Sequence, residues 1–251
     1  MSRAPCSNRG RCCIITHMEG EPSIPRAEML FEDRGDAGRR LAERLKSYAD
    51  ECPVVFALPR GGVPVGVEVS RSLGAPLEVI IARKLGAPGQ PEFGIGAVAP
   101  GGVRILNERA VRALGIPEDY LERVSARESE EVARRLRLFR GDRPYPDLGE
   151  RTVILVDDGL ATGVTARAAL AALRHLNPGR LVLAVPVCAP QTAELLHPET
   201  DDLICLLMPD DLEAVGLWYR NFEQVPDEEV VRLLEEARHT TESNFDDSAE
   251  G

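Results

Sequence analysis

Apolar positions along the chain follow two rhythms. Short runs of strand length and β-branched content stand at 54–58, 77–82, 152–157, 180–187 and 203–207. Between them apolar residues recur at helical spacing. Leu41, Leu45 and Tyr48 share one face over 37–49, and further helices are predicted over 65–73, 117–140 (long and strongly charged), 165–175, 191–196 and 227–238. A Gly/Pro-rich stretch between the second strand and the charged helix holds two weaker strand-like runs, 94–98 and 103–107. Strands alternating with helices predict an α/β fold: a doubly wound, mainly parallel sheet flanked by helices on both faces. Such sheets bind ligands outside the carboxyl ends of their strands, so the loops after 54–58, 77–82 and 152–157 are expected to converge.

The ends of the chain depart from this rhythm. Residues 1–27 form a polar, proline-bearing leader and 240–251 an acidic tail, both expected to be disordered, leaving 28–239 as one domain. The 251 residues are 43% hydrophobic and 28% charged, enough to bury a substantial core. A net charge of −11 disfavours nucleic acid and anionic membranes. No apolar run approaches the roughly 20 residues that span a bilayer, and the stretch Cys12-Cys13-Ile14-Ile15 is too short for a secretory core of about 7–15 residues, so a soluble cytoplasmic protein is expected. Six cysteines with no Cys-x-x-Cys pair do not make a disulfide framework. Cys52, Cys188 and Cys205 are expected to act as small hydrophobes beside the strands. Cys6, Cys12, Cys13 and His17 have poor spacing for zinc, and translation from Met18 or Met29 would remove them.

The densest chemistry lies at 153–165, where the strand Val-Ile-Leu-Val meets Asp157 and Asp158 and then Gly159, Leu160, Ala161, Thr162, Gly163, Val164 and Thr165 at the start of a helix. The glycines let backbone N–H groups turn inward. With the threonine hydroxyls, these donors suit a phosphate at the helix N-terminus. The two acids cannot hold that phosphate. They suit ribose hydroxyls, from which they accept hydrogen bonds, and a nearby divalent cation. Arg60, Gly61 and Gly62, after the first strand, can offer backbone donors and one cation to a pyrophosphate. Arg83 and Lys84 open the Gly/Pro-rich stretch, which suits a mobile lid (83–103) carrying positive charge over a polyphosphate.

The 153–165 segment resembles the 5-phosphoribosyl diphosphate (PRPP) motif of type I phosphoribosyltransferases, and the resemblance extends over roughly 29–238. It includes the run Phe31-Glu32-Asp33-Arg34-Gly35-Asp36-Ala37-Gly38, which looks like an uncharacterised bacterial branch of the family. Arg83-Lys84 looks like the opening of the flexible loop of the orotate and adenine enzymes, and Glu92-Phe93-Gly94 resembles a stretch in the adenine enzymes whose glutamate acts on the base. The resemblance implies a hood over the incoming nucleophile at about 206–226, where Trp218 could stack on a heterocycle beside Tyr219 and Phe222. It implies a Mg²⁺-dependent transferase passing the phosphoribosyl group of PRPP to a nitrogen nucleophile, a nucleobase above all, with Mg²⁺ carried on PRPP beside Asp157 and Asp158. It also favours a homodimer.

One departure bears on the acceptor. The hypoxanthine/guanine enzymes place an aspartate where this chain has Ala161, so the sequence sides with the adenine- and orotate-like motifs. A non-catalytic PRPP sensor of the same fold is the alternative. Other nucleotide-binding α/β proteins lack support, because no Gly-x-x-x-x-Gly-Lys-Ser/Thr loop and no Gly-x-Gly-x-x-Gly after a strand is present.

Overall fold

The computed structural model describes residues 14–15 and 30–249. Six strands form one parallel sheet. In chain order they are β1 (Ile14–Ile15), β2 (Val54–Ala57), β3 (Leu77–Val79), then β7 (Thr152–Val156), β8 (Arg180–Val187) and β9 (Asp202–Leu207), ordered in space β1-β9-β8-β7-β2-β3. A second sheet, β4 (Arg83–Ala87), β5 (Gln90–Ala99) and β6 (Val103–Leu106), is antiparallel. The helices are α1 (Arg34–Leu45), α2 (Gly62–Leu73), α3 (Glu108–Ala113), α4 (Glu118–Arg140), α5 (Val164–Arg174), α6 (Pro190–Leu196) and α7 (Asp227–Ala249).

The central strands are buried along their whole length, because successive side chains enter different cores. Val55 and Ala57 of β2, with Ile154 and Val156 of β7, pack beneath α1, α2 and α7, among Leu41, Val65, Val69 and Leu234. Their neighbours Val54, Phe56, Val153 and Leu155 pack beneath α5 and α6, among Ala166, Ala169, Leu170 and Leu196. A parallel strand covered on both faces therefore reads as an unbroken apolar run. A third, smaller cluster joins Phe31 and Ala37 to Val187, Trp218 and Tyr219, fastening the 206–226 segment to the start of α1.

Several sequence expectations change. The 83–103 stretch is a three-stranded sheet rather than an irregular lid. Most of its Gly and Pro residues occupy the β4–β5 turn at Pro88 and Gly89, the irregular end of that ladder, where register shifts between Leu85 and Ala87, and the β5–β6 turn at Pro100, Gly101 and Gly102. In such places breaker residues end pairing without abolishing the strands on either side. The first helix starts earlier, at Arg34, because Asp33 caps it by accepting from the Asp36 N–H at 2.8 Å, and it ends in a 3₁₀ turn over Lys46–Glu51. The short helix α3 has no counterpart in the apolar pattern. The last helix continues past residue 238 to Ala249, into the segment expected as a disordered tail. Ile14–Ile15 pairs with β9 inside the expected leader; the rest of 1–27, with Cys6, Cys12, Cys13 and His17, lies outside the described residues. Cys188 and Cys205 are buried as expected, whereas Cys52 is exposed.

Candidate active site at the carboxyl ends of β2 and β7

β7 ends at Val156 and delivers Asp157 and Asp158 to the sheet's carboxyl edge. The Asp157 carboxylate accepts from the Asp158 N–H at 2.9 Å. Burial pushes the Asp157 carboxyl well above the usual carboxylate range, and the adjacent Asp158 adds to the shift. Burial raises Asp158 as well, although Arg34 opposes it by donating from Nε to Oδ2 at 2.8 Å. The Asp158 carbonyl in turn accepts the Tyr219 hydroxyl at 2.6 Å.

The turn after β2 lies directly against these acids. The Leu58 N–H donates to the Val156 carbonyl at 2.9 Å, tying the two strand ends together. The Gly62 N–H then returns to the Leu58 carbonyl at 3.0 Å, and the Pro59–Arg60 peptide is cis. A Cβ on Gly61 would stand 1.9 Å from Asp158 Oδ2, and one on Gly62 would stand 2.8 Å from the Val156 carbonyl oxygen. Only glycine permits so close an approach.

On the other side of the acids, the loop is clipped to β8 by the Leu160 N–H, which donates to the Val187 carbonyl at 2.9 Å, and by the Ala189 N–H, which donates to the Leu160 carbonyl at 2.9 Å. The Thr192 hydroxyl donates to the Ala161 carbonyl. Gly163 then turns the chain into α5 at φ 66°, and no side chain caps that helix. Its first N–H groups are therefore presented to the loop's open side, where Ala161 and Thr162 are exposed and Val164 and Thr165 half-buried. The uncapped N-terminus of α5, the two carboxylates and the 60–62 turn thus lie side by side.

Other expected site residues stand differently. Arg60 reaches toward Asp227, the first residue of α7, at 3.7 Å. Arg83 is taken up by Glu128 of α4, at 3.0 Å from Nε and 2.9 Å from Nη2, rather than by the Asp157–Asp158 loop. The Lys84 stem lies along Gly94 of the neighbouring strand. Trp218 is a correction: at 2% exposure it is part of the cluster around Phe31, so its ring is not presented to a heterocycle. Tyr219 is buried there too, and the Phe222 ring is covered by the Arg34 guanidinium, 3.8 Å from its centroid. These aromatics dock on the start of α1. The backbone of Glu92 runs in β5; its side chain lies outside the described residues.

Arg34 and Tyr219, both bonded to Asp158, are residues the motifs did not assign to the site. The available signal for Arg34 was the 31–38 run, whose other members serve structure: Asp33 caps α1, Ala37 is buried, and Gly38 packs against Val65.

A model of the phosphoribosyl transferase domain matches residues 28–217. The chain belongs to that family. Rv0571c and MT0597 from two strains of Mycobacterium tuberculosis, which carry the words phosphoribosyl transferase in their names, are each 43% identical to it over 208 residues, 83% of this chain and 47% of theirs. The chain therefore spans about half the length of the curated relatives it matches. The crystal structure of TT1426 from Thermus thermophilus superposes with a TM-score of 0.70 at 44% identity, covering 83% of this chain and 99% of that one.

Two adjacent carboxylates are available at the phosphoribosyl transferase motif, and among the described residues no group of three or more His, Cys, Asp or Glu is assembled to hold a metal alone.

The raised Asp157 carboxyl makes a prediction for the ligand-free protein. A carboxyl whose folded pKa exceeds its unfolded value destabilises the fold as pH rises from the ordinary carboxylate range through the folded value. Asp157→Asn keeps an oxygen for the Asp158 N–H but removes the buried charge. The variant is expected to melt higher than wild type at pH 7, by about 2–4 °C per kcal/mol relieved, with the gap closing toward about pH 4. Thermal melts across that range check it, and an equal or lower melting temperature at pH 7 would refute it.

Proposed function

We propose that this protein transfers the 5-phosphoribosyl group of PRPP to a nitrogen nucleophile, a nucleobase above all, releasing pyrophosphate in a Mg²⁺-dependent reaction. The observation that carries this reading is the junction just described: Asp157 and Asp158, at the end of β7, lie between the 60–62 turn and the uncapped N-terminus of α5. The α5 N–H groups would bind the 5′-phosphate. Asp157 and Asp158 would accept hydrogen bonds from the ribose hydroxyls, and their negative charge would favour the cationic ribosyl centre that develops as the C1–oxygen bond breaks. The nucleophile's nitrogen bonds to C1 while pyrophosphate departs with the electron pair of the C1–oxygen bond, and the nitrogen's proton passes to solvent or to the departing pyrophosphate. The 60–62 turn would hold the departing group. Mg²⁺ on PRPP would offset pyrophosphate charge beside Asp157 and Asp158. Ala161 brings no proton-transfer group, so hypoxanthine and guanine are expected to be poor acceptors.

The alternative is a PRPP sensor without turnover. It is favoured by the pairing of Arg83 with Glu128, which withholds one expected leaving-group cation. Replacing Arg83 and Lys84 by Ala separates the two readings. A transferase whose 83–103 hairpin moves over the ligand is expected to lose turnover by at least about tenfold with a smaller loss of PRPP affinity; a sensor shows no turnover to lose.

Among the described residues no helix is long and apolar enough to cross a membrane. We further propose a cytoplasmic homodimer with no nucleic-acid partner, in keeping with the net charge of −11. Calorimetric titration with PRPP and Mg²⁺, followed by a pyrophosphate-release screen across nucleobases, tests the central reading. Saturable binding and release with one base are expected; absence of PRPP binding would overturn it.

A further inference from the structure

Arg34 is the first residue of α1, far in sequence from every motif of the site, yet its guanidinium lies where three parts of the site meet. Nε donates to Asp158 Oδ2 at 2.8 Å and Nη1 to the Glu223 carbonyl at 2.7 Å, and the plane of the group covers the Phe222 ring at 3.8 Å. On its remaining side is the 60–62 turn: a Cβ on Gly61 would be 3.2 Å from Nε. The side chain retains 11% exposure, and among the described residues Nη2 has no acceptor. A half-buried guanidinium held by one carboxylate and one carbonyl, with a donor still to give, is an incomplete anion site.

We propose that Arg34 is a ligand-contacting residue that gives its guanidinium to the pyrophosphate of PRPP; the proposal rests on the reading of this site as a PRPP site. In the ligand-free protein Arg34 offsets the charge of Asp158. When ribose hydroxyls donate to Asp158, the pyrophosphate on the 60–62 turn is the strongest acceptor within reach of the guanidinium. Direction along the site selects that end of the ligand. The α5 N-terminus, which suits the 5′-phosphate, lies beyond Asp158 through Gly159–Gly163, whereas the guanidinium lies on the Gly61 side. The planar fork also fits phosphate oxygens better than a point charge does. Phe222 and the Glu223 carbonyl hold the group in place, so the hood segment supplies a platform for a cation instead of a stacking surface for a base.

Calorimetry with three probes tests this: PRPP with Mg²⁺, pyrophosphate with Mg²⁺, and ribose 5-phosphate. Arg34→Gln is expected to weaken PRPP and pyrophosphate by at least about tenfold, in line with loss of one charge-assisted hydrogen bond, while ribose 5-phosphate changes by less than about threefold. Arg34→Lys keeps a cation beside Asp158 but loses the fork. It is expected to show the same selectivity at smaller amplitude, and it carries the test if a thermal melt shows that the glutamine variant does not fold. Equal loss for all three probes, or no loss for pyrophosphate, would overturn the assignment and leave Arg34 as a support for Asp158. A wild-type protein that binds none of the probes would instead overturn the PRPP reading itself, and this assignment with it.

Discussion

Converting both Asp157 and Asp158 to Asn is expected to lower turnover by at least about tenfold, equivalent to about 1.4 kcal/mol of transition-state stabilisation. In the proposed mechanism the pair would supply the negative charge that faces a developing ribosyl cation, and amides of the same shape would keep the hydrogen-bonding geometry without that charge. The two positions separate in their effect on stability. Asp157→Asn relieves a buried carboxyl whose pKa is held high. Asp158→Asn instead removes the ion-pair partner of Arg34, leaving a guanidinium of 11% exposure less compensated. The double variant is therefore expected to be folded but slowed, with its melting temperature close to wild type as opposing effects offset. Initial rates of pyrophosphate release and a thermal melt on the same preparation check both parts. Full turnover in the double variant would remove these carboxylates from the chemistry.

Gly61→Ala is expected to weaken ligand binding more than it damages the fold. The added Cβ would stand 1.9 Å from Asp158 Oδ2 and 2.6 Å from the Asp158 carboxyl carbon, so the carboxylate must swing away from Arg34 and from the ligand. Side-chain rotation relieves the clash, and no main-chain atom stands among the close contacts. PRPP affinity is expected to fall at least about tenfold, with a loss of stability of about 1 kcal/mol, the middle of the range for single substitutions. At Gly62 the obstruction is the Val156 carbonyl oxygen at 2.8 Å, which cannot rotate away, so Gly62→Ala is expected to be much the less stable of the two. Calorimetry and melting curves on the two variants make the comparison. Unimpaired PRPP binding by Gly61→Ala would show that the Asp158 carboxylate need not hold its present position.

Local pattern settled much of this protein. The central strands β2 and β7 declare themselves because they are buried on both faces, so that every position from Val54 to Ala57 and from Thr152 to Val156 is buried. The Asp157–Thr165 loop is legible for a related reason: its chemistry is contiguous. A strand end, two acids, the Gly163 turn and an uncapped helix follow one another, and their proximity needs no long-range contact. The glycines at 61 and 62 were also visible, although the acids they meet are nearly one hundred residues away.

Tertiary structure decided what contiguity cannot. Whether Gly/Pro-rich residues 83–103 are loop or sheet depends on the pairing of β4, β5 and β6, and that pairing is a property of three segments together. Trp218 looks the same in sequence whether it faces a ligand or Phe31; only the packing of 206–226 on the start of α1 turns it inward. The same packing brings Arg34 to Asp158, Glu223 and Phe222. The 31–38 run marks Arg34 only as part of a family-like stretch and does not say what it meets, because its partner carboxylate is 124 positions away. Sequence by itself determined the parallel sheet, the two acids and the glycine turn into α5, since burial on two faces and backbone turns are local constraints. The fold alone determined which charges those acids meet, since electrostatic partners are chosen by distance in space.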